Sequence, residues 1–119
     1  MKVFIKTFGC RVNQVESEAL LEKFKETGAL LVQNHKDADL CLLNTCSVTA
    51  KADRDANKLI RHILRDNPYC RLVVTGCYAM ASSEKIKALF PSAQIIFKPD
   101  LGKTLFAEDL DWTVKHHEG

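Results

Sequence analysis

ADLCLLNTCSVT (residues 38–49) passes from Asp39 into four consecutive apolar residues, Leu40 to Leu43, and breaks at Asn44 and Thr45. A strand with one wet face alternates apolar and polar residues. A short run apolar at every position fits a strand buried on both faces, as in a parallel sheet covered by helices. Four further runs share this character: VFI (3–5), LLV (30–32), LVV (72–74) and IIF (95–97). Between them lie helical periods. The first starts near Asn13, carries Val15, Ala19, Leu20 and Phe24, and stops at Gly28. Asn13 followed by Glu16 matches a capping box, so Asn13 is expected to cap this helix. The second helix spans about Thr49 to Asp66, ahead of Pro68, and the third about Ser83 to Leu89, ahead of Pro91.

Strand–helix alternation predicts an α/β fold: an open, mostly parallel five-stranded sheet with helices on both faces, in the flavodoxin-like order 2-1-3-4-5. Between Val32 and Leu40 the connection is short for a parallel crossover, which calls for a single helical turn or a short second edge strand. Residues 1–99 are read as the domain proper and 100–119 as a terminal helix or turn with a tail.

A chain of 119 residues with 46% hydrophobic and 27% charged residues has the composition of one ordinary globular domain. It has no apolar run near the ~18 residues of a membrane span and no signal-like amino terminus, so the cytoplasm is the expected address. A formal net charge of +2 makes no case for nucleic acid by itself. Five cysteines are many for a chain in a reducing compartment, and they direct attention to metals or catalysis.

Cys10, Cys46 and Cys77 each follow an apolar run by three to five residues, which puts them at the carboxyl edge of the first, third and fourth strands. Those strands are neighbours in the order 2-1-3-4-5, and at ~4.8 Å between strands their loops start within about 10 Å of one another. Three thiols are thus expected at one rim, two of them preceded by glycine (FGC and TGC). Thiolates suit zinc or an iron–sulfur cluster. A structural zinc site wants a fourth ligand, yet His35 and His62 fall away from the rim and His116 and His117 lie in the tail. A 4Fe–4S cluster on three cysteines leaves one iron free, which suits chemistry better than electron storage. Cys41, within a strand, and Cys70, at the opposite edge, are expected to be packing residues. There is no GxGxxG, no GxxxxGK[ST] and no CxxC, which weighs against a nucleotide-binding loop and a thioredoxin-type site.

At these positions the sequence resembles the amino-terminal domain of the radical-SAM methylthiotransferases, through TFGCRVNQVESE (7–18), ADLCLLNTCSVTAKADR (38–54) and LVVTGCYAM (72–80). GCRVN together with NTCSVT is most like the branch acting on threonylcarbamoyl-adenosine in tRNA. The family pattern usually has Gln at Met80 and Val-Gly where IIFKPD stands. The resemblance implies that Cys10, Cys46 and Cys77 hold an auxiliary 4Fe–4S cluster that carries or supplies sulfur for methylthiolation of a modified adenosine beside the anticodon. It also implies a radical domain, binding S-adenosylmethionine and a second cluster, and an RNA-binding domain. No CxxxCxxC run occurs here, so both are expected to be absent from this chain and the chain alone is not expected to turn over. The competing readings are a non-catalytic three-cysteine zinc module and a flavodoxin-like interaction domain with incidental thiols.

Asn13 belongs to the family motif, so the alternative to its capping role is a place beside the cluster. Asn44 and Thr45 are read as orienting the loop that carries Cys46, the alternative being hydrogen bonds to cluster sulfurs. On the second helix, Lys51, Arg54, Lys58, Arg61 and Arg65 follow spacings of 3, 4, 3 and 4 opposite Ala52, Ala56, Leu59, Ile60 and Ile63. Such a stripe is either a solvated face or, in a full-length enzyme, a contact to the tRNA backbone.

Overall fold

In the computed structural model the described residues are 1–9, 11–46 and 50–106. The elements run β1 (Lys2–Thr7), α1 (Arg11–Glu26), β2 (Leu30–Leu31), β3 (Leu40–Thr45), α2 (Ala50–Asp66), β4 (Arg71–Gly76), α3 (Cys77–Ala81), α4 (Ser83–Leu89), β5 (Gln94–Ile95) and α5 (Leu101–Phe106). The strands form one sheet in the order β2-β1-β3-β4-β5, and every pairing is parallel. Cys10, the residues around the expected helix start at Thr49, and the tail from 107, with His116 and His117, lie outside the described residues.

The unbroken apolar run of β3 has the cause its pattern implies. Leu40 and Leu42 pack on one face with Val3, Val73, Leu20 and Phe24 of α1, and Leu101 of α5. Cys41 and Leu43 pack on the other with Leu72, Val74, Ala56, Ile60 and Ile63 of α2, and Ile86 of α4. Every residue of β3 is buried. Two apolar layers enclose the central strands, so neither face can carry the alternate polar residues of a half-wet sheet.

Two details depart from the sequence reading. Val15 is 40% exposed, whereas Asn13, Glu16 and Ser17 are buried on α1. The first two turns of that helix therefore face the sheet with polar side chains, because the strand ends they cover are polar as well. In addition, Cys77 does not sit in a loop: β4 passes directly into the five-residue helix α3.

The short connection before β3 is a 3₁₀ turn, His35–Asp37, following a two-residue β2. It is tied to the end of α2. His35 Nε2 donates to Asp66 Oδ2 at 2.8 Å, and Asn67 Nδ2 donates to the carbonyls of His35 and Ala38 at 2.9 and 2.7 Å. The His35 ring also meets Phe4 of β1 edge-on, with centroids 5.9 Å apart.

Hydrogen bonds from His35 and then Arg65 hold the Asp66 carboxyl down at about 2, against an ordinary 3.8. A depressed acid stabilises the fold above its unfolded value, and that contribution disappears as pH falls through the folded one. Asp66→Asn should therefore lower the melting temperature at neutral pH. The gap from wild type should close as pH falls from 3.8 toward about 2, and a gap that stays constant in thermal melts across this range would remove the assigned role.

Candidate metal centre at the carboxyl edge of the sheet

The carboxyl ends of β1, β3 and β4 finish level. Thr7 is paired with Asn44, Asn44 with Thr75, and Thr45 with Gly76. Cys46 and Cys77 are thus each one residue beyond a paired position on adjacent strands. Cys46 is buried, at 4% exposure, and Cys77 is exposed as the first residue of α3.

Both glycines that precede rim cysteines are sites of close backbone approach. Gly9 has φ +89°, and a β-carbon there would lie 2.7 Å from Cys46 Sγ and overlap its Cβ. Gly76 has φ +97°, and a β-carbon there would strike the Thr45 carbonyl oxygen and lie 2.7 Å from the Thr45 nitrogen. Any other residue would be strained in both conformation and space. The β1 loop therefore crosses directly over Cys46 at the residue before Cys10, and β4 closes against β3 at the residue before Cys77.

Beneath this rim lies a network of buried polar side chains. Asn13 Nδ2 donates to the carbonyls of Phe8 (2.8 Å) and Thr45 (2.9 Å), joining the β1 loop to the end of β3. Asn44 Nδ2 donates to the Asn13 carbonyl at 3.0 Å and to Ser17 Oγ at 3.1 Å. Thr7 Oγ1 donates to Ser17 Oγ at 2.6 Å. Thr45 Oγ1 donates to the Thr75 carbonyl at 2.6 Å and accepts from the Ala79 amide at 3.3 Å, which fixes α3 to β3. Tyr78, buried in α3, donates its hydroxyl to Asn57 Oδ1 of α2 at 2.7 Å.

Asn13 is accordingly not a helix cap. It is the third residue of α1, and its amide reaches across 32 positions to Thr45. The capping-box reading fails because the side chain is drawn to two loop carbonyls, and Glu16 is buried beside it. Asn44 and Thr45 do orient the turn into Cys46, through hydrogen bonds to Asn13, Ser17, Thr75 and Ala79.

Cys41 and Cys70 form a separate environment. Burial, then the neighbouring Cys70 and a hydrogen bond between the two thiols, push Cys41 up to about 12, and burial raises Cys70. Cys41 Sγ also faces the His35 carbonyl at 3.9 Å. Two thiols kept protonated are poor ligands and poor nucleophiles. That they touch was not evident from sequence, because they lie 29 positions apart.

Among the described residues, which do not include Cys10, no three His, Cys, Asp or Glu side chains are grouped to hold a metal ion. The donor chemistry still fits a thiophilic centre. Cys46 and Cys77 are free thiols at adjacent strand ends, and the two glycines remove the side-chain bulk that would otherwise fill the rim.

On α2, Lys51, Arg54, Lys58, Arg61 and Arg65 are all exposed. Arg61 leans over the Phe90 ring at 5.9 Å from its centroid. Lys58 lines a groove of about 220 Å³ with Lys6, Phe8, Asp55, Leu59 and His62. Among the described residues no helix is long and apolar enough to cross a membrane.

Residues 2–98 match the model of a family described as Uncharacterized protein family UPF0004. The chain belongs to this family. A threonylcarbamoyladenosine tRNA methylthiotransferase, MtaB, of Bacillus subtilis is 39% identical over 94 residues, which is 79% of this chain and 21% of that protein. Its namesake in Treponema pallidum is 40% identical over 90 residues, 73% of this chain and 19% of its own length. A tRNA-2-methylthio-N(6)-dimethylallyladenosine synthase of Thermodesulfovibrio yellowstonii is 34% identical over 101 residues, 82% of this chain and 23% of its own length. The chain thus spans about a fifth of the length of these curated relatives. The UPF0004 match agrees with the resemblance drawn from the three cysteine motifs, to the amino-terminal domain of methylthiotransferases.

The network yields a paired prediction. Asn13→Ala removes three side-chain hydrogen bonds, those to the Phe8 and Thr45 carbonyls and one accepted from Lys98 Nζ, and should cost about 3 kcal/mol. Thr75 Oγ1 is buried with no hydrogen-bond partner among the described residues, so Thr75→Val should stay within about 1 kcal/mol of wild type. Urea unfolding measures both, and equal costs would contradict the network.

Proposed function

We propose that this chain is the auxiliary-cluster domain of a tRNA methylthiotransferase, with Cys10, Cys46 and Cys77 as the ligands of a 4Fe–4S cluster. The observation that carries the reading is Gly9, whose backbone lies against the Cys46 side chain one residue before Cys10 in the sequence. When bound, such a cluster supplies sulfur for insertion at an unreactive C–H position of a modified adenosine next to the anticodon.

The residues of this chain then divide the work. Cys46 is the buried ligand, sheltered by Gly9 and fixed by the Asn13 and Thr45 hydrogen bonds. Cys77 is the exposed ligand, on the side open to a substrate or a partner domain. Three protein ligands leave a fourth position for a non-protein group. Cys41 and Cys70 take no part, since burial keeps them protonated. S-adenosylmethionine and a second cluster belong to a radical domain, because this chain has no CxxxCxxC run. Such an enzyme works in the cytoplasm, where its tRNA is. The threonylcarbamoyl-adenosine branch is favoured by the GCRVN and NTCSVT motifs, and relatives named for that substrate and for dimethylallyladenosine both align with the chain.

Anaerobic reconstitution with iron and sulfide tests the ligand set. Near-stoichiometric cluster is expected, lost in Cys10→Ala, Cys46→Ala and Cys77→Ala and kept in Cys41→Ala and Cys70→Ala. Zinc alone, or equal behaviour of all five variants, would overturn it.

The stripe Lys51, Arg54, Lys58, Arg61 and Arg65 contributes salt-sensitive affinity for the tRNA backbone, at the scale of nearly one released counterion per phosphate neutralised. In the full-length enzyme, Lys51→Glu, Arg54→Glu and Lys58→Glu together should weaken tRNA binding at low salt and flatten its salt dependence. Unchanged binding would return the stripe to the status of a solvated face.

A further inference from the structure

The three-thiol reading of the rim leaves Lys98, a half-buried cation, without a role. Lys98 opens the 3₁₀ turn Lys98–Asp100 that follows β5. Its ammonium reaches 82 and 85 positions back in sequence, donating to Glu16 Oε1 and to Asn13 Oδ1, each at 2.9 Å. The side chains of Lys98 and Glu16 are only 13% and 3% exposed. Charge-assisted hydrogen bonds are among the stronger polar contacts, and a buried pair is little screened by solvent.

We propose that Lys98 is a positioning residue for the cysteine rim: it fixes the orientation of the Asn13 amide that ties the Cys10 loop to the Cys46 loop. The argument rests on donors and acceptors. Asn13 must present its NH₂ group to the carbonyls of Phe8 and Thr45, since neither can donate. A primary amide has two ends of nearly equal shape, and a half-turn would aim an oxygen at those two carbonyls. An ammonium has donors only, so it accepts nothing from an NH₂ group and can bond only the oxygen end. Lys98 against Asn13 Oδ1 therefore selects the rotamer that bridges the loops, and Glu16 fixes where the ammonium sits. The Thr45 carbonyl belongs to the peptide bond that leads into Cys46. The Phe8 carbonyl belongs to the one that leads into Gly9, the residue packed on Cys46. A side chain at the far end of the sheet order thus governs how tightly the two loops are held together.

The inference deepens the three-thiol reading but has a metal-free readout. Cys46, at the rim, and Cys41, near the opposite edge, are both buried, so their alkylation rates under native conditions separate local opening from global unfolding. In Lys98→Met the Cys46 rate should rise about tenfold or more, the expected scale for losing a charge-assisted hydrogen bond, while the Cys41 rate rises by no more than that factor and Cys46 stays the faster of the two. Lys98→Arg also presents only donors and should restore the slow rate. Lys98→Gln can accept as well as donate, permits the flipped amide, and should behave like Lys98→Met. Cadmium affinity, measured on the same proteins, should follow the same order. Equal Cys41 and Cys46 rates, an unchanged Cys46 rate, or a Lys98→Arg variant as open as Lys98→Met would overturn the proposal. If wild type bound no cadmium but Cys46 still opened selectively in Lys98→Met and closed in Lys98→Arg, the positioning role would stand and the metal reading would fail.

Discussion

The structure depends on two places where backbone must touch its neighbour without a side chain between. At Gly9 the β1 loop lies on Cys46, and at Gly76 strand β4 lies on the Thr45 peptide. Each follows from the level register of three parallel strands, whose ends are paired at Thr7, Asn44, Thr45, Thr75 and Gly76. Parallel strands that end level deliver their following residues to one edge, and glycine lets the chain turn there at close quarters. Cys46 lies within the first of these contacts and directly follows Thr45 of the second, and Cys77 directly follows Gly76. Their placement is a consequence of sheet geometry before any cofactor is considered.

Much of this was legible in the sequence. Strands covered on both faces, as β3 and β4 are, write continuous apolar runs. Five apolar runs separated by helical periods leave few α/β topologies open, although the edge strand β2 proves partly exposed. The order β2-β1-β3-β4-β5 and the helix Ser83–Leu89 are found as expected. What periodicity could not show was which face of α1 is buried near its start. The pattern selects apolar residues, so it picked Val15, whereas the sheet end beneath is made of Thr7, Asn44 and Thr45 and recruits Asn13, Glu16 and Ser17. Asn13 was misread for the same reason. Its local spacing to Glu16 mimics a cap, while its actual partners lie at Thr45 and, through Lys98, beyond β5. Helix α3 was missed because five residues are too few to display a period.

The cysteines show how one residue type is given two characters by position. Cys41 is buried beside the half-buried Cys70; burial and then its neighbour push Cys41 up to about 12, while burial raises Cys70. Cys46 and Cys77 flank the polar strand ends, one sheltered and one open. The buried network between α1 and the strands belongs to the second environment. It contributes little apolar packing, and its hydrogen bonds run mainly between the loops that carry the rim residues. Such a network costs desolvation and gives a defined geometry in return.

The most direct test of the central claim is the ¹¹³Cd NMR spectrum of the purified, reduced chain with one equivalent of cadmium, a thiophilic ion whose chemical shift reports how many thiolates surround it. Convergence of Cys10, Cys46 and Cys77 predicts one resonance in the three-thiolate range, abolished by Cys46→Ser and untouched by Cys41→Ser. A resonance characteristic of two thiolates, or one that vanishes with Cys41→Ser, would show that the three rim cysteines do not form a single site.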